Sequence, residues 1–143
     1  MLVLDTDVVS ELMRPQPAVA VLSWLAPHAP RELRLTVITR AEIRYGIARL
    51  PRGQRRAELQ TRADALFDDI GELTLDFDSR AADVYGLLVA DRERQGSPIS
   101  VPDAQIAAIT LTREGELVTR NVTDFVGCGL VAHDPWAGSS GRR

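Results

Sequence analysis

Asp5, Glu42, Asp103 and Asp124 are far apart in the sequence, yet each follows a feature that marks the end of a strand or the start of a helix. Asp5 closes the apolar run Leu2-Val3-Leu4, and Asp124 follows the run Leu117-Val118-Thr119 by a few residues. Glu42 lies three residues after Thr39, and Asp103 three after Ser100, which predicts both acids in first helical turns. Open parallel sheets bind ligands outside the carboxyl ends of their strands, so these four acids are expected to converge there. Carboxylates a few ångströms apart repel and raise one another's pKa. Divalent magnesium offsets that repulsion, because it takes hard oxygen ligands and retains several waters. Such an ion activates water and stabilises charge on a phosphoryl group, so the pattern points to metal-assisted phosphodiester hydrolysis.

Each acid also has a purely structural reading. Thr39-Arg40-Ala41-Glu42 has the form of a capping box. Asp103 in a first turn opposes the helix dipole, and Asp124 suits a turn before Phe125. Asp5 is harder to explain this way, because a buried strand end is a costly place for an unpaired charge.

The elements that must position these residues alternate in type. Short strands are expected at Leu2–Leu4, Leu33–Val37, Leu73–Leu75, Leu117–Thr119 and Gly129–Val131. Helices are expected from Asp7, from Pro17, from Thr39, after Gly53 to about Ile70, from Asp78 and from Val101. This order predicts a three-layer α/β/α sandwich with a mainly parallel central sheet. The expected domain is 1–137, and 138–143, rich in Gly, Ser and Arg, is expected to be a disordered tail.

Composition excludes several other chemistries. The 143 residues carry a net charge of −3, which rules out a polycationic nucleic-acid binder. All 17 basic residues are arginine, so Schiff-base and P-loop lysine mechanisms are excluded. Arginine instead suits bidentate phosphate contact. No apolar stretch reaches the roughly 20 residues that span a bilayer, so no membrane association is expected. The single cysteine, Cys128, cannot form an internal disulfide and fits a reducing, cytoplasmic compartment. His28 and His133 lie in turn-like proline contexts and are assigned no role.

Taken in order, the motifs are far more specific than their members. Leu4-Asp5-Thr6-Asp7-Val8-Val9-Ser10-Glu11-Leu12 resembles the opening of PIN-domain nucleases of the VapC and FitB type. Thr39-Arg40-Ala41-Glu42-Ile43-Arg44-Tyr45-Gly46-Ile47, Pro102-Asp103-Ala104-Gln105-Ile106-Ala107-Ala108, Val118-Thr119-Arg120-Asn121-Val122-Thr123-Asp124-Phe125 and Asp134-Pro135-Trp136 continue the likeness. It implies an endoribonuclease toxin using Mg²⁺, with Mn²⁺ as the alternative, that acts on RNA. It further implies a homodimer and a small antitoxin whose extended C-terminal part blocks the acidic groove. Asp5, Glu42 and Asp103 match the family's first three acids, with Asp5, Asp103 and Asp124 as the metal ligands. The fourth position is open between Asp124 and Asn121, where many relatives carry aspartate. Asp7 also departs from the usual asparagine, and is expected either to add negative charge beside Asp5 that alters metal affinity or to cap the first helix.

Two other readings stay open. Asp5-Thr6-Asp7-Val8 fits the opening of haloacid-dehalogenase-type phosphatases, with Asp5 as nucleophile. A PIN-fold module that binds RNA or a partner without cutting is the other. Between Arg40 and Arg62, seven arginines face two glutamates, a local excess of +5. That segment is either an RNA-backbone track or a solvated helix face. Trp24, Tyr85 and Leu88 are candidates for core packing or a dimer surface.

Overall fold

The computed structural model describes residues 1–137; the expected tail, 138–143, lies outside the described residues. In chain order the elements are β1 (Leu2–Leu4), α1 (Thr6–Leu12), α2 (Val19–Leu25), β2 (Leu33–Thr36), α3 (Val37–Ala48) and α4 (Gln54–Ile70). They continue as β3 (Thr74–Leu75), α5 (Ser79–Arg94), α6 (Val101–Thr112), β4 (Glu116–Val118) and β5 (Ala132–His133). The sheet runs in the order β3-β2-β1-β4-β5, with every neighbouring pair parallel. β1 is the central strand, pairing Val3 with Arg34 of β2 and with Leu117 of β4.

Alternation along these short strands divides the core into two layers, as period-2 geometry requires. Leu2, Leu4, Leu35 and Val118 pack with Val8, Val21, Ile43, Ile47 and Phe67, so α1 to α4 cover one face. Val3, Leu75 and Leu117 pack with Ala81, Leu88, Ala104, Ile106 and Ile109, so α5 and α6 cover the other. The three-layer sandwich expected from the sequence is therefore the fold observed. No helix among the described residues is long and apolar enough to cross a membrane.

Two local expectations are corrected. Helix α3 starts earlier than Thr39: Thr36 is its N-cap, and the Thr36 hydroxyl accepts the Thr39 N–H at 3.1 Å. Thr39 therefore lies inside the first turn and Glu42 in the second, so Thr39 and Glu42 form no capping box. The last strand is Ala132–His133 and not 129–131, because Gly127 and Gly129 adopt φ of 82° and 81° and turn the chain first. Only glycine takes that backbone at no steric cost.

Candidate active site

The strand order reverses between β1 and β4, and in such sheets the crevice beyond the strand ends is the ligand site. Asp5 stands at that point. Its backbone N–H extends the ladder to Val118 O at 2.9 Å, and its side chain caps α1. Asp5 Oδ1 accepts the Thr6 N–H at 2.8 Å, and Oδ2 accepts the Thr119 hydroxyl at 2.7 Å, bridging the two strands. The carboxyl is only 5% exposed. Burial raises its pKa from 3.8 to about 7, with the neighbouring Asp7 charge adding most after that and Asp103 adding further. The hydrogen bonds from Thr119 and Thr6 oppose the rise.

The other acids gather around this anchor. Ser100 caps α6 by accepting the Asp103 N–H at 3.3 Å, which sets Asp103 in the first turn as expected. Burial also raises the Asp103 pKa, and the Asp124 charge adds to it. Asp124 sits on a 3₁₀ turn, Val122–Phe125, with its N–H bonded to Asn121 O at 3.0 Å and its side chain exposed. Glu42 is joined to the group through Thr6, whose hydroxyl donates to Glu42 Oε1 at 2.7 Å and lies 3.0 Å from the Thr39 hydroxyl.

Sequence reasoning gives no site role to Thr6, Thr39 or Thr119. Asp7 Oδ2 accepts the Arg120 N–H at 3.1 Å and the Asn121 Nδ2–H at 3.3 Å, so Asn121 is turned toward Asp7. Asp7 Oδ1 is buried and accepts no hydrogen bond among the described residues; burial raises the Asp7 pKa and the Asp103 charge adds to it, while the backbone N–H bonds and the Arg120 charge oppose the rise. Asp7 does not cap α1; Asp5 does. The threonines could have been found from their places beside strand-end acids, where a hydroxyl is the compact way to orient a carboxylate.

Among the described residues, none of Asp5, Asp7, Glu42, Asp103 and Asp124 enters a salt bridge. The donor set is therefore hard oxygen alone, one of its atoms is a buried acceptor without a donor among the described residues, and the Arg120 charge acts on Asp7 without forming an ion pair there. This chemistry fits a hard divalent cation. Among the described residues, no three Asp, Glu, His or Cys side chains are drawn closely enough together to hold a metal ion by themselves. An ion bound in the crevice would accordingly keep water in its shell, as magnesium usually does.

The pattern of the PIN domain family matches residues 2–125. The chain belongs to the PIN domain family. It is 36% identical over 137 residues to the VapC ribonuclease Y4jK of Sinorhizobium fredii, covering 95% of this chain and 98% of that one. It is 31% identical to the toxin FitB of Neisseria gonorrhoeae, over 95% of this chain and 99% of that one. Among solved structures, FitAB bound to a DNA fragment superposes with a TM-score of 0.89 at 31% identity, covering 95% of this chain and 96% of that one. The match to the PIN pattern spans Asp5, Glu42, Asp103 and Asp124.

Membership of the PIN family removes the phosphatase reading. The arginine segment is largely committed within the fold. Arg40 and Arg44 each stand 4.8 Å from the Phe67 ring centre, and Arg44 pairs with Asp64 at 2.7 Å. Arg62 donates to Met13 O at 3.0 Å, and Arg56 to Leu50 O at 3.4 Å. Arg52 and Arg55 are exposed and form no ion pair among the described residues. Leu88 is buried, Tyr85 packs edge-on against Phe77, and Trp24 packs beside His28 and His133. The exposed apolar positions on those helices are instead Val19, Leu22 and Leu87.

Proposed function

We propose that this chain is a divalent-cation-dependent endoribonuclease and the toxin of a toxin–antitoxin pair. The observation that carries the reading is the group of unpaired carboxylates at the crevice between β1 and β4. Asp5, Asp103 and Asp124 would hold Mg²⁺, or Mn²⁺ in its place, directly or through metal-bound water. When bound, the ion supplies Lewis acidity and the positive charge that lets these acids ionise side by side. Asp5 is held rigid by Thr6 and Thr119 and presents a fixed oxygen edge to the crevice. Glu42, oriented through Oε1 by Thr6, would take a proton from the attacking water. The names of the relatives, a VapC ribonuclease and the toxin FitB, support RNA as substrate and an antitoxin as partner. Exposed Val19 and Leu22 on α2, or Leu87 on α5, offer apolar surface for a homodimer.

The test is cleavage of total RNA and tRNA by the purified chain in Mg²⁺, Mn²⁺ and EDTA. Asp5→Asn and Asp103→Asn proteins serve as controls of matched shape. Cleavage should require the metal and be lost in both variants. Undiminished cleavage in EDTA would overturn the reading, and metal-independent RNA binding without any cutting would replace it with a binding module. Light scattering at micromolar concentration tests the dimer, which a stable monomer would exclude.

A further inference from the structure

Arg92 occupies the last turn of α5 and is 6% exposed, yet among the described residues its guanidinium meets no carboxylate. Nε donates to Ser97 O at 2.6 Å. Nη1 shares its hydrogens among Asp124 O at 2.9 Å, Val126 O at 3.0 Å and Cys128 Sγ at 3.2 Å. A buried cation is tolerated only where its donors are well satisfied, so the carbonyls around this group are held to one arrangement. Their places in the chain give the arrangement its meaning. Ser97 lies on the connection to Ser100, the cap of α6 that fixes Asp103. Asp124 is itself one of the acids at the crevice. One side chain, reaching from behind the site, thus ties together the two loops that deliver Asp103 and Asp124.

We propose that Arg92 is a positioning residue that sets the spacing of Asp103 and Asp124 through the backbone carbonyls of Ser97 and Asp124. The inference rests on the metal-dependent reading above and deepens it. Lysine cannot take over the role, because one ammonium on an unbranched stem lacks the rigid fork that serves both loops at once. A residue that only staples a surface loop would affect stability and leave metal affinity alone. Outer residues that orient metal ligands typically change metal affinity about 10- to 100-fold.

Binding of Mn²⁺ alone to metal-free protein, followed by electron paramagnetic resonance, separates these roles. Wild type, Arg92→Lys, Arg92→Met and Asp103→Asn would be compared, with thermal midpoints measured alongside. Both Arg92 variants should bind Mn²⁺ about 10- to 100-fold more weakly, with RNA cleavage recovering as Mn²⁺ is raised. Unchanged Mn²⁺ affinity with a lowered thermal midpoint would overturn the inference alone. Absence of Mn²⁺ binding by wild type would overturn the metal reading and this inference with it. Native-state hydrogen exchange on wild type needs no variant to fold. The bonded amide of Ser97 and those of Asp124, Val126 and Cys128 should open with one common free energy, and independent opening would refute the coupling.

Discussion

Replacing Asp5 with asparagine should stabilise the metal-free protein at alkaline pH, although it removes the most buried acid of the site. The Asp5 pKa rises from 3.8 to about 7 on folding, first through burial and then through the Asp7 charge. A carboxyl whose folded pKa exceeds its unfolded value binds its proton more tightly in the native state. Its contribution is complete below about 3.8 and is lost as pH rises through about 7. At about 1.36 kcal/mol per pH unit, that interval corresponds to about 4 kcal/mol. Such a loss is a large share of the roughly 5–15 kcal/mol that holds a domain together. Asparagine preserves shape: its carbonyl can accept the Thr6 N–H, and its amide can donate to Thr119 once that hydroxyl turns round. Urea and thermal unfolding in EDTA, followed by circular dichroism from pH 4 to pH 9, should show nearly equal stabilities at the acid end. The variant should lead by about 4 kcal/mol at the alkaline end, roughly 10 °C in midpoint. Saturating Mg²⁺ should raise wild type far more than the variant and close that gap. A difference that does not change with pH, or a variant no more stable than wild type at pH 8 in EDTA, would refute the reasoning.

Other perturbations address separate parts of the site. Asp124→Asn should raise the Mg²⁺ requirement for RNA cleavage far more than Asn121→Ala, because Asn121 is turned toward Asp7 while Asp124 brings a charge close to Asp103; the opposite ranking in a Mg²⁺ titration would reassign the fourth position. Thr119→Val deprives Asp5 Oδ2 of its hydroxyl donor and the Asn121 N–H of its acceptor, and should cost about 1–3 kcal/mol. The Thr119 bond favours ionised Asp5, so urea midpoints should fall more at pH 8 than at pH 5, and equal losses would count against it. Neutralising Arg52 and Arg55 to glutamine should lower the log–log salt slope of RNA binding by about 0.7 for each phosphate deprived of its guanidinium. An unchanged slope would make both residues part of an ordinary solvated face.

Legibility from sequence follows the range of the interactions. The apolar runs of β1 and β4, the Asp78 cap and the Ser100 cap depend on near neighbours, and each stands where the residues point. Sequence alone misplaces the start of α3 because two threonines three residues apart, Thr36 and Thr39, both suit a cap. Tertiary packing of the strand end chooses the earlier one. Asp7 stands out in the sequence, but its contacts do not, because they come from Arg120 and Asn121, more than a hundred positions away. Arg92 is beyond reach for a different reason: three of its four acceptors are backbone carbonyls, which no residue type announces. Most of the arginine-rich segment resembles a phosphate track by composition, yet Phe67, Asp64 and two carbonyls take up several of its guanidinium groups.

The bond from Thr119 to Asp5 joins residues 114 positions apart, and β1 cannot complete its second pairing until β4 exists. During synthesis, at about 5–20 residues per second, Asp5 therefore leaves the ribosome many seconds before its partner does. Throughout that interval the central strand carries an open edge and the acidic crevice lacks one wall. If the crevice acts as proposed, a growing chain of this topology should stay inactive until β4 has been made. Products of interrupted translation that stop before Thr119 should then be inactive as well.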